Sequence, residues 1–332
     1  MGERIFIAGD GQMGLVMASA ALEAGAESVV VWGPFEESIQ HLRSGRESPR
    51  LPGWSISEQI ELEHDPGHAG DASLIVNAIP TQFVRPVWQR LVPAIGDDHA
   101  GIPVVSTAKG LEIGSGLLPT QIIQDILPRI PVAALSGPTI ATELALRQPA
   151  VMIAASAEPR LPARVHAAFA TEWLRVYESN DLLGVELAGA LKNVIALAAG
   201  ICDGLGLGFN AKSALLARGL SEMARLGVAL GAERATFEGV AGVGDLATTC
   251  FSPDGRNRAC GEAIARGIDL DEYIETQHCV VEGVPTLESV LDRTRVLGLD
   301  LPIMSAVGEV FLEGRDPRQV IHDLMTRPSG QE

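Results

Sequence analysis

Lys192 and Asn193 stand side by side at the centre of Leu182–Ile201, LLGVELAGALKNVIALAAGI, a stretch that is otherwise apolar almost all the way round. A helix of that composition is stable only when buried on every side. Burying an ammonium group is costly unless it is paired or surrenders its proton. A desolvated lysine titrates nearer neutrality and can then act as acid or base. The competing reading is a lysine whose stem lines the core while its ammonium reaches the surface. Three further groups have the types for chemistry on a charged substrate. Lys109 sits beside Gly110, which clears space around it, and is either a solvated loop lysine or a functional cation. Asp245, in Gly242-Val243-Gly244-Asp245, starts a helix, where it can cap the first turn or steer a nearby ammonium. Pro253–Arg258 offers Arg256 and Arg258 flanking Asn257. Guanidinium groups match phosphate oxygens with paired donors, although such a turn can equally be a solvated surface.

A second pattern opens the chain. The apolar run Arg4–Ala8 leads into Gly9-Asp10-Gly11-Gln12-Met13-Gly14, and a helical run follows from Leu15 to Glu23. This is G-x-G-x-x-G between a strand and a helix, the context in which the pattern signifies dinucleotide binding. Gly9 permits the tight turn, Gly11 lets a pyrophosphate approach the backbone, and Gly14 lets helix and strand pack closely. At the end of the second strand, Ser28–Trp32, an acid would select NAD and a basic group NADP. The chain instead reads Gly33-Pro34-Phe35 with Glu36 and Glu37 beyond, and Arg43 and Arg46 lie farther on. Neither rule is met, so the cofactor is NAD or NADP with the preference undetermined.

The elements that must position these groups divide at residue 180. Residues 1–180 alternate strands and helices, with strands expected at Arg4–Ala8, Ser28–Trp32, Ser73–Ile79, Pro103–Ser106, Val132–Leu135, Ala150–Ala155 and Leu174–Glu178. Arg46–Ser57, rich in Pro, Gly and Ser, reads as an irregular connection. Strand ends put Asn77-Ala78, Lys109 and Ser136-Gly137 at the carboxyl edge of a mainly parallel, doubly wound sheet, where ligands bind in such folds. Pro138 is expected at the first helical position after Ser136-Gly137, with free N–H groups there for an anion or a carboxamide. Ser179-Asn180-Asp181 is expected to cap the long apolar helix. Residues 181–332 show only helical spacing, so they read as an all-α domain, with Asn210 capping the helix after the glycine-rich link Gly204–Asn210.

Composition narrows the classes. A net charge of −17 argues against nucleic acid and anionic membrane partners. Cys202, Cys250, Cys260 and Cys279 show no C-x-x-C pair, which suits reduced thiols in a cytoplasm and provides no metal site. The early first strand leaves no room for a signal peptide. The apolar stretch around Lys192 is long enough to suggest a membrane span, but Glu186, Lys192 and Asn193 in it are costly in lipid.

Several ordered blocks together resemble the bacterial-type NAD(P)-dependent glycerol-3-phosphate dehydrogenase family over nearly the whole chain. They are Gly189-Ala190-Leu191-Lys192-Asn193-Val194, Ala217-Arg218-Gly219-Leu220-Ser221-Glu222-Met223, Gly244-Asp245-Leu246 with Thr249-Cys250, Arg256-Asn257, Lys109-Gly110-Leu111-Glu112 and Ser136-Gly137-Pro138-Thr139. The resemblance implies an α/β Rossmann domain plus a C-terminal all-α domain of the 6-phosphogluconate dehydrogenase type. It implies Lys192 as proton acceptor and Lys109 as a contact to both cofactor and substrate. Gln12, Met13, Gly137, Thr139, Ala141, Val280 and Glu282 would lie near the cofactor, with Arg256 shared. Gly137, Asn193, Asp245, Gly255, Arg256 and Asn257 would lie on the substrate. Two departures stand out: Gly255 replaces the family's serine, and Pro34 replaces its usual basic residue after the second strand.

The chemistry so implied is reversible hydride transfer between NAD(P)H and dihydroxyacetone phosphate, giving sn-glycerol 3-phosphate for glycerophospholipid synthesis. The expected setting is cytoplasmic, with a small phosphorylated substrate, no nucleic acid, no membrane insertion, and room for a homodimer. Two other readings stay open: a dehydrogenase of the same build acting on a 3-hydroxyacid or sugar acid, and a catalytically silent NAD(P)H-binding sensor. Both lysines and Asp245 argue against the sensor.

Overall fold

The computed structural model describes residues 2–96, 101–277 and 280–328, so Cys279 lies outside the described residues. The chain forms two compact units, Met1–Lys109 with Leu117–Glu186, and Gly110–Gly116 with Leu187–Glu332.

The first unit is built on strands β1 (Arg4–Ala8), β2 (Ser28–Trp32), β3 (Glu47–Ser48), β4 (Leu51–Ser55), β5 (Ile60–Glu63), β6 (Leu74–Asn77), β7 (Val104–Ser106), β8 (Val132–Ser136), β9 (Ala150–Ala155) and β10 (Leu174–Ser179). Eight of them form one sheet in the order β10-β9-β8-β7-β6-β1-β2-β5. All pairs are parallel except β8 with β9. The order reverses between β1 and β6, which creates the switch point where such sheets bind ligands.

Its helices are α1 (Gln12–Glu23), α2 (Glu36–Gly45), α3 (Thr81–Ile95), α4 (Pro119–Ile126), α5 (Ala141–Ala145) and α6 (Leu161–Phe169). Side chains alternate across a strand, so the sheet buries two cores. Ile5, Ile7, Val29, Val31, Leu74 and Val76 face one cluster with residues of α1 and α6. Phe6, Ala8, Val30, Trp32, Ile75 and Val104 face the other with residues of α3 and α4. Burial on both faces explains why these strands read as continuous apolar runs.

Two local expectations fail here, and one strand was missed. Arg46–Ser57 is not irregular, because β3 and β4 pair as an antiparallel hairpin. Pro138 does not begin a helix, since α5 starts at Ala141 after an extended Ile140. Gly137 explains that delay: its φ is +149°, and a Cβ there would lie 2.7 Å from the Val151 carbonyl oxygen. The short strand β5 went unrecognised in the sequence.

The second unit is helical among its described residues. Helix α7 (Leu182–Gly204) begins in the first unit and continues into the second. Then come α8 (Gly208–Ala229), α9 (Arg234–Glu238), a π-type turn over Val240–Gly244, α10 (Asp245–Phe251), α11 (Arg256–Ala265), α12 (Leu270–Gln277), α13 (Gly283–Leu297), α14 (Pro302–Phe311) and α15 (Pro317–Thr326). Asp181 caps α7 as expected, its Oδ1 accepting from the Gly184 N–H at 2.9 Å. Asn210 caps nothing, because α8 has already begun at Gly208. Helix α7 is the one described helix long and apolar enough to cross a membrane, and it is mostly buried within the protein. Helices α7 and α11 touch backbone to backbone: a Cβ on Gly200 would lie 1.9 Å from the Arg258 carbonyl oxygen, and one on Gly261 2.0 Å from that of Leu197. That closeness brings the polar residues of the two helices together.

Candidate active site

In the second unit, Lys192 does not snorkel. Its side chain is 8% exposed, and Nζ lies 2.9 Å from Oδ1 of Asp245, itself 2% exposed. Nζ also donates to the Thr249 hydroxyl. Asp245 and Thr249 are one helical turn apart on α10, so both face the same ammonium. The π-type turn before α10 runs directly into Asp245, a geometry often found at functional sites. A buried charge is tolerated only with such pairing. Burial pushes the neighbouring Cys250 thiol up to about 12, with the Lys192 and Lys212 charges opposing, so that thiol stays protonated at neutral pH.

Asn193, next on α7, accepts from Asn257 Nδ2 at 3.0 Å, while Asn257 Oδ1 accepts from the Gly283 N–H at 2.8 Å. This buried pair ties α7 to the starts of α11 and α13. Arg256 opens α11 after Gly255 and is exposed, and among the described residues its guanidinium has no bonded partner. Arg258 behaves differently. Its Nη1 contacts Asp203 at 2.9 Å and Glu262 at 2.8 Å, so this guanidinium is consumed inside the unit. Val280 and Glu282 precede α13, with Glu282 buried at its start.

In the first unit, the glycine turn takes the form its spacing suggests. Gly9 has φ +125° and approaches the end of β6, where an added Cβ would meet the Ala78 carbonyl oxygen at 2.8 Å. Gly14 is tighter still, its Cβ position lying 1.9 Å from the Gly9 carbonyl oxygen. Gly11 has nothing within 4 Å of a Cβ. The turn is thus closed against the sheet at two glycines and open at the third. The N–H groups of Gln12 and Met13, in the first turn of α1, have no helical carbonyl ahead of them. That open face with free donors fits the pyrophosphate of a dinucleotide.

Farther along the carboxyl edge, Lys109 Nζ donates to the Gly137 carbonyl at 2.8 Å and Thr139 Oγ1 donates to the same oxygen at 3.0 Å. Ala141 is the first residue of α5. The buried Ser136 hydroxyl has no partner among the described residues, an orphan that suits an outside ligand. Arg43 and Arg46 are committed elsewhere, to Glu63 at 2.7 Å and to Glu58 at 3.0 Å.

The structure therefore gathers Gly9, Gly11, Gln12, Met13, Gly14, Lys109, Gly137, Thr139 and Ala141 in the first unit. Lys192, Asn193, Asp245, Gly255, Arg256, Asn257, Val280 and Glu282 fall in the second. Thr249, bound to Lys192, stood in one of the family-like blocks but carried no assigned role. The signal was present, since it stands four residues after Asp245. No group of three or more His, Cys, Asp or Glu side chains suited to a metal occurs among the described residues.

Residues 4–161 match the family model described as NAD-dependent glycerol-3-phosphate dehydrogenase N-terminus, and residues 181–322 match the corresponding C-terminus. A glycerol-3-phosphate dehydrogenase [NAD(P)+] of Citrifermentans bemidjiense is 39% identical over 332 residues, covering 98% of each chain. Another from Chlorobium phaeobacteroides is 40% identical and covers 99% of each. The crystal structure of glycerol-3-phosphate dehydrogenase from Coxiella burnetii superposes with a TM-score of 0.92 at 30% identity, covering 98% of this chain and 99% of that one.

Proposed function

Since the chain belongs to the NAD-dependent glycerol-3-phosphate dehydrogenase family, we infer that it reduces dihydroxyacetone phosphate reversibly to sn-glycerol 3-phosphate with NAD(P)H. The observation that carries this reading is the buried ion pair of Lys192 with Asp245, completed by Thr249, in a unit that matches the family along its length. The bound reduced nicotinamide supplies the hydride to C2 of the substrate. Lys192 Nζ donates a proton to the oxygen that becomes the C2 hydroxyl, and in the oxidative direction takes it back. Asp245 and Thr249 hold that nitrogen in one orientation, so little rearrangement is needed as charge develops on the substrate oxygen.

Lys109 contacts cofactor and substrate and adds positive charge beside the reacting oxygen. Arg256 grips the substrate phosphate, assisted by the free N–H groups at the start of α11. Gly255 offers the phosphate backbone only, without the hydroxyl its usual counterpart would bring. Asn193 and Asn257 brace each other and keep Lys192 and Arg256 in register. Gln12, Met13, Gly137, Thr139, Ala141, Val280 and Glu282 line the cofactor. The product supplies glycerophospholipid synthesis in the cytoplasm, without nucleic acid or membrane insertion, and a homodimer is the assembly to look for by sedimentation.

Following nicotinamide absorbance with a panel of ketones tests the reading. Dihydroxyacetone phosphate should turn over well, and unphosphorylated dihydroxyacetone and 3-oxoacids poorly. Faster turnover of a 3-oxoacid would favour the other dehydrogenase reading. Tight cofactor binding with no turnover of any ketone would favour the sensor.

A further inference from the structure

Beyond the end of β2 lies a cleft of about 770 Å³, bordered by Asp10 of the glycine turn, Pro34, Glu37, Ser38, His64 and Arg50. The wall formed by Gly33 and Pro34 is fixed from behind. His64 Nδ1 bonds the Gly33 carbonyl at 3.0 Å, and Arg90 donates to the Pro34 carbonyl at 3.0 Å and to His64 Nε2 at 3.3 Å. Arg90 also stacks on Trp32, 5.2 Å from the ring centre, so its guanidinium is already engaged within the wall. Arg43 and Arg46 are paired with glutamates.

Arg50 is the exception. It sits in the turn between β3 and β4, is exposed, and among the described residues its guanidinium has no bonded partner. Its backbone is not loose: the Arg50 carbonyl accepts from Gln12 Nε2, and its N–H donates to Ser48 Oγ at 3.3 Å. The hairpin turn is therefore tethered to the glycine fingerprint itself, which sets the free guanidinium at the border of the cleft beside the first turn of α1. A dinucleotide whose pyrophosphate lies on that turn places its adenosine ribose at the end of β2.

Carboxylates also border the cleft. Asp10 accepts from the Ser38 hydroxyl, and Glu36 accepts from Gln40 at 3.0 Å on its own helix. Glu37 is exposed, where solvent screens it. None stands directly at the end of β2, where an acid would pair with both ribose hydroxyls.

We propose that Arg50 binds the 2′-phosphate of the adenosine ribose, so that this chain selects NADPH over NADH through a guanidinium delivered by the β3–β4 hairpin. This rests on the reading of the glycine turn as the cofactor site. A guanidinium meeting a dianionic phosphate forms paired, charge-assisted bonds that a ribose hydroxyl cannot replace.

The test is equilibrium binding of 2′,5′-ADP, 5′-AMP, NADPH and NADH to the full chain, without substrate. Wild type should bind 2′,5′-ADP at least tenfold more tightly than 5′-AMP, and added salt should erode the difference. R50Q, which keeps the backbone contacts and changes only an exposed side chain, should erase the preference while leaving 5′-AMP and NADH affinity unchanged. R50K should retain part of it. Equal binding of the two mononucleotides by wild type, or an undiminished preference in R50Q, overturns the role of Arg50 alone. A preference for 5′-AMP that E37Q abolishes also overturns it, pointing to an acid-led NADH site. Failure of all four ligands to bind would instead remove the cofactor-site reading beneath it.

Discussion

Glu186 lies six residues before Lys192 on α7 and is fully buried. Its Oε1 accepts from the Thr120 N–H at 3.0 Å and its Oε2 from the Thr120 hydroxyl, pinning the start of α4. Burial raises its carboxyl from 4.5 to about 7, with the two Thr120 bonds opposing. The folded protein therefore holds this proton more tightly than the unfolded chain does. Stability from this group is fully present below about pH 4.5, declines as pH rises, and is lost above about 7. Moving a carboxyl over that interval corresponds to about 3 kcal/mol, at ~1.4 kcal/mol per tenfold. Glu186→Gln keeps an acceptor for the N–H and a group for the hydroxyl but cannot ionise. Urea unfolding of both proteins at pH 5 and pH 8 isolates the effect from Glu222, whose burial raises its carboxyl in the same direction. The variant should be close to wild type at pH 5 and more stable by up to about 3 kcal/mol at pH 8. Equal pH slopes for the two proteins, or a variant weaker at pH 8, would refute the argument.

Other consequences concern the site. Asp245→Asn leaves a buried ammonium without its counter-charge, which should cost about 3 kcal/mol in urea unfolding. Its turnover should drop about a hundredfold as Lys192 loses its orientation. Arg256→Ala should raise KM for dihydroxyacetone phosphate by roughly ten- to a hundredfold, the worth of a charged hydrogen bond. Initial rates at saturating substrate should show kcat changed far less.

Much of this was legible in residue types and spacing, for identifiable reasons. The central strands β1, β2, β7 and β8 are buried on both faces, so each is a largely apolar run that announces itself. The glycine turn announces itself by spacing alone, and two of its three glycines are required by close approaches, Gly14 to the Gly9 carbonyl and Gly9 to the Ala78 carbonyl. The hairpin β3–β4 escaped because Pro52 and Gly53 resemble loop punctuation and its outer residues are exposed. β5 is only four residues long, at the sheet edge. Pro138 obeyed tertiary contact instead of local preference, since Gly137 must pass the Val151 carbonyl before a helix can start. The pairing of Asn193 with Asn257 joins residues 64 apart in the chain, and no periodicity reveals that. Lys192 was visible as an anomaly in an apolar helix, yet its hydroxyl partner Thr249 emerged only once α10 was seen to present two side chains to one nitrogen. Arg258 and Arg256 are indistinguishable as sequence. Only the acidic neighbours Asp203 and Glu262 separate a structural guanidinium from an available one.

The most direct measurement is a single-turnover stopped-flow assay of Lys192→Ala with saturating NADPH and dihydroxyacetone phosphate, beside a cofactor titration. Removing the proton donor should slow nicotinamide oxidation by roughly 10²–10⁴-fold. Cofactor affinity should stay within about twofold, because the Lys192 amine is held by Asp245 and Thr249 and acts on the substrate oxygen, not on the dinucleotide. A variant that oxidises NADPH at nearly the wild-type rate would show that this buried amine is not the group that moves the proton.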